Sequence, residues 1–152
     1  MEIIEESGDR KKHMAILLLG DEDEKMLRRN IDKGDMFLIL KSGNVIGECI
    51  VNLEDNVAEI MNIALIRQEQ RKGYGKALIR FVEERYMKSA RTLKVRTGDS
   101  PATLQFYLSC GFETIAKVRN HFVENYEHPI YECGKRLTDM LILEKKIVNS
   151  KK

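Results

Sequence analysis

The chain has 152 residues, 43% hydrophobic and 33% charged, which is the composition of an ordinary globular protein with one sizeable core. Its net charge of +2 offers no overall attraction to nucleic acid or to an anionic membrane, so neither is an expected partner. The three cysteines are far apart, the N-terminus lacks the order of a secretory leader, and no apolar run approaches the roughly 18 residues of a membrane span. These features favour a cytoplasmic protein.

The first half of the chain predicts one strand, two helices and then three strands. A short strand lies near Ile3–Ile4, and Asp21 is the predicted N-cap of the second helix, with further acids in its first turn. The strand-like runs that follow are joined by short, turn-forming segments, so they predict an antiparallel meander. These three runs are 36–40, 45–53 and 57–66.

The second half alternates helices and strands. Apolar spacing predicts a helix from Gly75, a strand over 92–97, and a helix that begins near Pro101 and stops at Gly111. The step from the strand before Gly75 to the strand after it implies one parallel pair. Segments 112–118 and 137–143 are closing strands, and 119–136 is an irregular connection. The predicted fold is α/β (α+β), with a mixed, mostly antiparallel sheet of six to seven strands flanked by about four helices.

The segment Gln70-Arg71-Lys72-Gly73-Tyr74-Gly75 predicts an anion-binding turn between a strand and a helix. Successive backbone N–H groups and the positive end of the helix would point to one place, which suits a pyrophosphate. A P-loop is excluded because Gln70 replaces its first glycine and Ala77 replaces its Ser or Thr. A Rossmann fingerprint is excluded because Leu78 replaces its third glycine. A tight turn with a solvated basic face is the alternative.

Three motifs in register resemble the GNAT superfamily of acetyl-CoA-dependent N-acetyltransferases. They are the turn Gln70–Gly75, the strand 58–65 before it, and Tyr107–Phe112 after it, and the similarity covers about 35–120. The C-terminal part is similar to that of a group of small bacterial members. The resemblance implies a single GNAT domain over 1–152, acetyl-CoA as co-substrate and no metal. Homodimers are common in the family, although no residue here identifies an interface.

The resemblance also implies which residues contact coenzyme A. The turn amides would hold its pyrophosphate, and the end of the fourth strand would splay from the fifth and lend main-chain groups to the pantetheine arm and thioester. Ser100 stands where several relatives have a cofactor-contacting Asn. The implied cofactor residues are Ile63, Ala64, Leu65, Gln70, Arg71, Lys72, Gly73, Tyr74, Gly75, Lys76 and Ser100.

Tyr107 matches the family's general acid, which protonates the departing sulfur. A phenol with an ordinary pKa near 10 stays protonated at neutral pH and can donate that proton. The helical pattern alone would make Tyr107 a core residue, since Leu104 and Leu108 share its stripe.

Glu59 is the candidate general base. Strict strand alternation would place it on one face with Met61, Ile63 and Leu65, as a carboxylate in an apolar row, eleven residues before Gln70. Ordered water or another carboxylate is the alternative base, as in many family members.

The acceptor site is indicated by weaker signals. Glu22 and Asp23 lie between the first two helices, where acids would attract a cationic amine; a solvated, capped helix start explains them equally well. His121 and Tyr126 lie in the long connection, which could close over the acceptor. The spacing of His121, His128 and Cys133 matches no closed zinc pattern, so no metal is expected.

The predicted function is transfer of an acetyl group from acetyl-CoA directly to a primary amine. The acceptor would be a cationic small-molecule amine, polyamine or aminoglycoside, or a protein lysine or N-terminus. The alternative is a non-catalytic acyl-CoA-binding regulatory module with the same fold.

Overall fold

The computed structural model describes residues 1–21, 23–132 and 134–147. The strands are β1 (Glu2–Glu6), β2 (Asp35–Lys41), β3 (Asn44–Glu54), β4 (Val57–Leu65), β5 (Thr92–Gly98), β6 (Glu113–Val118), β7 (Tyr131–Glu132), β8 (Lys135–Arg136) and β9 (Met140–Lys146). The helices are α1 (Met14–Gly20), α2 (Glu24–Asn30), α3 (Tyr74–Tyr86), α4 (Pro101–Ser109) and α5 (His121–Asn125), with short 3-10 helices at Arg10–His13 and Arg67–Glu69. None of the helices in the described ranges is long and apolar enough to cross a membrane.

Seven strands form one mixed sheet in the order β1-β2-β3-β4-β5-β9-β6, and β7 and β8 form a separate hairpin. Within the large sheet only β4 and β5 pair in parallel. The mostly antiparallel seven-stranded sheet and the β4–α3–β5 crossover confirm the predicted fold. The described part of the chain has five α-helices where about four were predicted.

The two faces of the sheet are covered by different helices. Alternate side chains of β2 belong to different apolar clusters, because successive residues of a strand point to opposite faces. Phe37 and Ile39 pack in a cluster with α3 and with Tyr107 of α4. Met36 and Leu38 pack in a second cluster with residues of α1 and α2.

A divergence between β4 and β5 opens the sheet at its centre. The two strands pair only from Val57 to Ile60 on β4, opposite Thr92 to Val95 on β5. Beyond this, β4 stays paired with β3 as far as Leu65, and β5 stays paired with β9 along its whole length. The parallel pair therefore separates into a cleft with one strand on each side.

The helix before β2 begins two residues later than predicted. Asp23, rather than Asp21, is its N-cap: the Asp23 carboxylate accepts hydrogen bonds from the backbone N–H of Lys25 at 2.9 Å and of Met26 at 3.2 Å. Asp21 ends α1 instead and accepts a hydrogen bond from the Asp23 N–H at 3.2 Å. The prediction was wrong because four consecutive acidic residues gave several equivalent candidate caps.

The prediction that the connection 119–136 is irregular was wrong. It contains α5 and the β7–β8 hairpin, which leads into β9. The carboxylate of Asp99 fixes the end of this segment by accepting hydrogen bonds from Thr138 N at 3.2 Å, Thr138 Oγ1 at 3.0 Å and Asp139 N at 3.3 Å, and it lies 3.0 Å from Lys135 Nζ. The hairpin is thereby anchored beside the cleft, at the start of α4.

Replacing Asp99 by Asn tests this anchor. Burial acts to raise the pKa of Asp99, but Lys135 and the hydrogen bonds from Thr138 and Asp139 outweigh it and lower that pKa to about 2. A lowered folded-state pKa stabilises the fold above the unfolded-state value near 4, and this stabilisation is lost as the pH falls through 2. We expect Asp99→Asn to lower the free energy of unfolding by about 1–3 kcal/mol at pH 7.

The measurement is urea unfolding of both proteins at pH 7, 5 and 3, with Asp55→Asn, in an exposed turn, as the control. The stability gap between wild type and Asp99→Asn should narrow by about half between pH 5 and pH 3. A gap that stays constant over this range would contradict the role given to the ionised carboxylate.

Candidate active site

Two adjoining cavities lie beside the end of β4, and β5 lines the small one. The large cavity has a volume of about 620 Å³ and lies over the Gln70–Gly75 turn and α4. The small cavity has a volume of about 180 Å³ and lies between β4, β5 and the β7–β8 hairpin. Both cavities are lined by Leu19, Ile63, Thr103, Tyr107 and Glu132.

The Gln70–Gly75 turn presents the first turn of α3 to the large cavity. Arg71 and Gly73 have left-handed backbone conformations, with φ of 62° and 93°, and α3 begins at Tyr74. The first N–H groups of a helix have no partner within the helix, so they are available to an anion. Arg71 and Lys76 line the cavity beside them and add positive charge.

The two glycines of this turn have different structural roles. A Cβ on Gly73 would meet nothing within 4 Å, so this position is open and its glycine is required by the positive φ. Gly75 has no positive φ, but a Cβ there would lie 3.0 Å from the ring of Phe106. Gly75 therefore lets α3 pack closely on α4, and Gly73 supplies a left-handed backbone conformation to the turn.

Most of the predicted cofactor residues line the large cavity. They are Ile63, Ala64, Leu65, Gln70, Arg71, Gly73, Gly75 and Lys76. Gln70 Nε2 also donates a hydrogen bond to the Leu65 carbonyl at 3.0 Å and so ties the turn to the end of β4.

Three predicted cofactor residues, Lys72, Tyr74 and Ser100, are not among the lining residues. Lys72 lies 3.5 Å from the Glu69 carboxylate, and Ser100 is fully buried at the start of α4. Sequence reasoning missed Ala102, Thr103 and Phe106, which line the cavity from α4. The composition of α4 is ordinary and gave no signal for them.

Tyr107 is both a core residue and a wall of the two cavities. Only 4% of its surface is exposed, and its ring packs edge-on against Phe106 and Phe112 at centroid distances of 5.1 and 5.4 Å. Burial, with a contribution from the negative charge of Glu132, raises the pKa of the Tyr107 phenol well above its usual range. Its hydroxyl therefore stays protonated at neutral pH and can act as a donor.

Glu59 does not share a face with Ile63 and Leu65, so that expectation was wrong. The β3–β4 register shifts by one residue: Val51 pairs with Ile60 and Ile50 with Asn62, which leaves Met61 as a β-bulge. The bulge reverses the alternation, and Ile63 and Leu65 pack in the cluster that contains Ile60.

The Glu59 carboxylate points to the other face and lies 3.1 Å from Arg96 Nε. Glu59 lines neither cavity, whereas Arg96 lines the small one. The arrangement makes Glu59 the partner of a cavity-lining arginine.

Three of the predicted acceptor residues, Asp23, His121 and Tyr126, line neither cavity. The Tyr126 hydroxyl donates to the Asp21 carboxylate at 3.4 Å, which links the α5 segment to the end of α1. Burial and then the charge of Arg96 lower the pKa of His121. Asp23 caps α2, as described above. Glu22 and Cys133 lie outside the described residues.

Asn62 and Glu132 line the small cavity, and sequence reasoning missed both. Asn62 is 7% exposed; its Nδ2 donates to the Leu17 carbonyl at 3.3 Å, and its buried Oδ1 has no hydrogen-bond donor among the described residues. Glu132 belongs to β7 and accepts a hydrogen bond from Thr103 Oγ1. Asn62 looked like one more residue of a regular strand, and Glu132 lay in a segment without visible pattern.

Comparison with known proteins identifies the family. The model of the acetyltransferase (GNAT) family matches residues 9–112. The uncharacterized N-acetyltransferase YvbK of Bacillus subtilis (strain 168) is 29% identical over 146 residues, which cover 94% of this chain and 93% of YvbK. The chain belongs to the GNAT family of acetyltransferases, and the resemblance found in its motifs, including that to small bacterial members, is confirmed.

Solved structures agree with this assignment and hold the expected ligand. A GNAT family acetyltransferase from Elizabethkingia anophelis with acetyl-CoA bound has a TM-score of 0.88 and 27% identity, covering 95% of this chain and 97% of its own. A Bacillus subtilis acetyltransferase in complex with CoA has a TM-score of 0.86 and 25% identity, covering 97% and 99%. These relatives bind acetyl-CoA or CoA in the same fold.

The position of the Asn62 amide can be tested through Gly20. A Cβ on Gly20 would collide with Asn62 Oδ1, so a side chain at position 20 and the Asn62 amide cannot occupy their places together. We expect Gly20→Ala to lower the free energy of unfolding by about 1–3 kcal/mol because it overpacks the site. In an Asn62→Ala background, Gly20→Ala should lower the free energy of unfolding by clearly less. Equal costs in both backgrounds, measured by a double-mutant cycle, would contradict this packing.

Proposed function

We propose that this acetyltransferase transfers the acetyl group of acetyl-CoA directly to a primary amine of a cationic acceptor. The observation that carries the proposal is the position of Tyr107, a protonated phenol that lines both cavities. The large cavity is the candidate site for the donor, and the small cavity is the candidate site for the amine. Tyr107 would then lie where the thioester and the amine meet.

The chemistry of the large cavity suits the donor. The first N–H groups of α3, with Arg71 and Lys76, suit a pyrophosphate. Ile63, Ala64 and Leu65 pair with β3 on one side and face the cavity on the other, which offers main-chain groups to the pantetheine arm and the thioester oxygen.

The proton balance assigns Tyr107 its role. Attack of a neutral amine on the thioester carbonyl forms the C–N bond and breaks the C–S bond. Tyr107 would give its proton to the departing sulfur and regain one from the nitrogen. The base expected from the sequence, Glu59, faces away from Ile63 and lies against Arg96. A different group would therefore deprotonate the ammonium.

A screen of amines tests the proposed function. Purified protein is mixed with acetyl-CoA and, in turn, spermidine, tobramycin and a lysine-containing peptide, and thiol release is followed. Release that depends on the amine is the expected result. Tight acetyl-CoA binding without release on any of the amines would favour the alternative of a non-catalytic acyl-CoA-binding module.

Replacing Tyr107 by Phe should lower kcat by roughly 100-fold and leave the KM for acetyl-CoA little changed, since only the proton donor is lost. Tyr86→Phe is the matched control, because Tyr86 is also buried but donates to Asp35 at 2.7 Å in the core. The control should lower stability and spare kcat. Equal kcat in wild type and Tyr107→Phe would remove Tyr107 from the chemistry.

Replacing Gly73 by Ala should weaken acetyl-CoA binding by about tenfold (about 1.4 kcal/mol), because a strained turn misplaces the amides. Gly43 is the matched control: its φ of 80° and its open surroundings resemble those of Gly73, but it lies in the β2–β3 turn. Both changes should cost about 1 kcal/mol of stability. Calorimetric titration that finds equal acetyl-CoA affinity in the two variants would argue against the turn as the pyrophosphate site.

A further inference from the structure

We propose that Glu132, assisted by the amide oxygen of Asn62, receives the ammonium group of the acceptor and takes its proton before acetyl transfer. This inference rests on the proposed function, for which it supplies the acceptor-side base. Glu132 fits the role by position, because it lines both cavities together with Tyr107. Glu59, the base expected from the sequence, lines neither.

The charges around the small cavity favour a cation beside Glu132. Of the described residues, two charged side chains line it, Glu132 from β7 and Arg96 from β5. Arg96 is already paired with Glu59, with 3.1 Å between Nε and Oε2. The charge that Arg96 would present to a ligand is therefore offset, and Glu132 adds a carboxylate to the cavity wall.

Asn62 provides an independent indication of a hydrogen-bonding ligand. Within the described part of the chain its buried Oδ1 has no donor, and leaving such an acceptor without a hydrogen bond costs about 1–3 kcal/mol. The absence of a side chain at Gly20 leaves room for the amide in this position. An ammonium carries three N–H donors, so it can serve Glu132 and Asn62 together.

Glu132 is held in place from two sides. The hydroxyl of Thr103, on α4, donates to one of its carboxylate oxygens. Asp99 anchors the strand that returns from the hairpin through Lys135 and Thr138. A carboxylate has two acceptor oxygens, and the bond from Thr103 orients Glu132 through one of them.

The proton transfers balance with this assignment. The ammonium gives one proton to the Glu132 carboxylate, and the neutral amine attacks the thioester carbonyl. The C–N bond forms, the C–S bond breaks, and Tyr107 protonates the sulfur and regains a proton from the nitrogen. Glu132 then releases its proton to solvent. The products are the acetamide, the thiol and one proton.

The test compares Glu132→Gln with wild type and with the control Glu59→Gln. Steady-state kinetics use acetyl-CoA with spermidine, tobramycin and the lysine-containing peptide as probes. At pH 7 we expect Glu132→Gln to lose about 100-fold in kcat/KM for the amine, with the KM for acetyl-CoA within about twofold of wild type. Glu59→Gln should lose far less.

The pH dependence separates a proton-transfer role from a structural one. An alkyl ammonium has a pKa near 10.4, so raising the pH supplies neutral amine from solution. The defect of Glu132→Gln should shrink as the pH rises from 7 towards 10, and Glu132→Asp should recover part of the activity. A defect that is the same at every pH would overturn the base assignment.

Three further results separate the role of Glu132 from the proposed function. If Glu132→Gln matches wild type on an amine that wild type acetylates, this inference fails and the proposed function stands. If wild type binds acetyl-CoA but acetylates none of the probes, the proposed function fails and the role of Glu132 fails with it. If Glu132→Gln does not fold, Asn62→Ala is measured instead: its KM for the amine should rise about tenfold, and an unchanged KM would overturn the ammonium site.

Discussion

The separation of β4 from β5 after Ile60 is the constraint on which the rest of the site depends. Each strand keeps its other neighbour, β3 for β4 and β9 for β5, so the divergence costs pairing only where the two strands face each other. The gap forms the small cavity, and the end of β4 lines both cavities. The bulge at Met61 lies just after the last paired residue and sets which side chains of β4 face each side of the sheet.

Elements that are distant in the sequence complete the cleft. The N-terminal turn of α3 lines the large cavity, α4 supplies Tyr107 to both cavities, and the β7–β8 hairpin brings Glu132 to both. Most of these contacts rest on apolar packing, but the hairpin depends on Asp99 and its hydrogen bonds. The same packing that buries Tyr107 in the core keeps its phenol protonated, so one residue serves the core and the proposed chemistry.

Much of the frame was predictable from the sequence, because strand runs, short turns and helix punctuation are local signals. The Gln70–Gly75 turn was predictable for the same reason. Eight of the residues predicted to contact coenzyme A line the large cavity. The bulge at Met61 was not predictable, since one extra residue in a regular apolar strand leaves no pattern. Because of this bulge, Glu59 faces the opposite side of the sheet from Ile63 and Leu65. Glu132 was missed because its place depends on the long-range contacts of Asp99 and Thr103.

We expect acetyl-CoA and the acceptor amine to occupy the large and the small cavity, with Tyr107 between them. A crystal structure of this protein with acetyl-CoA tests this arrangement. We expect the pyrophosphate on the backbone of 71–76, the pantetheine arm along Ile63–Leu65, and the thioester sulfur within hydrogen-bonding distance of the Tyr107 hydroxyl. A complex with the pyrophosphate elsewhere, or with the thioester remote from Tyr107, would contradict it.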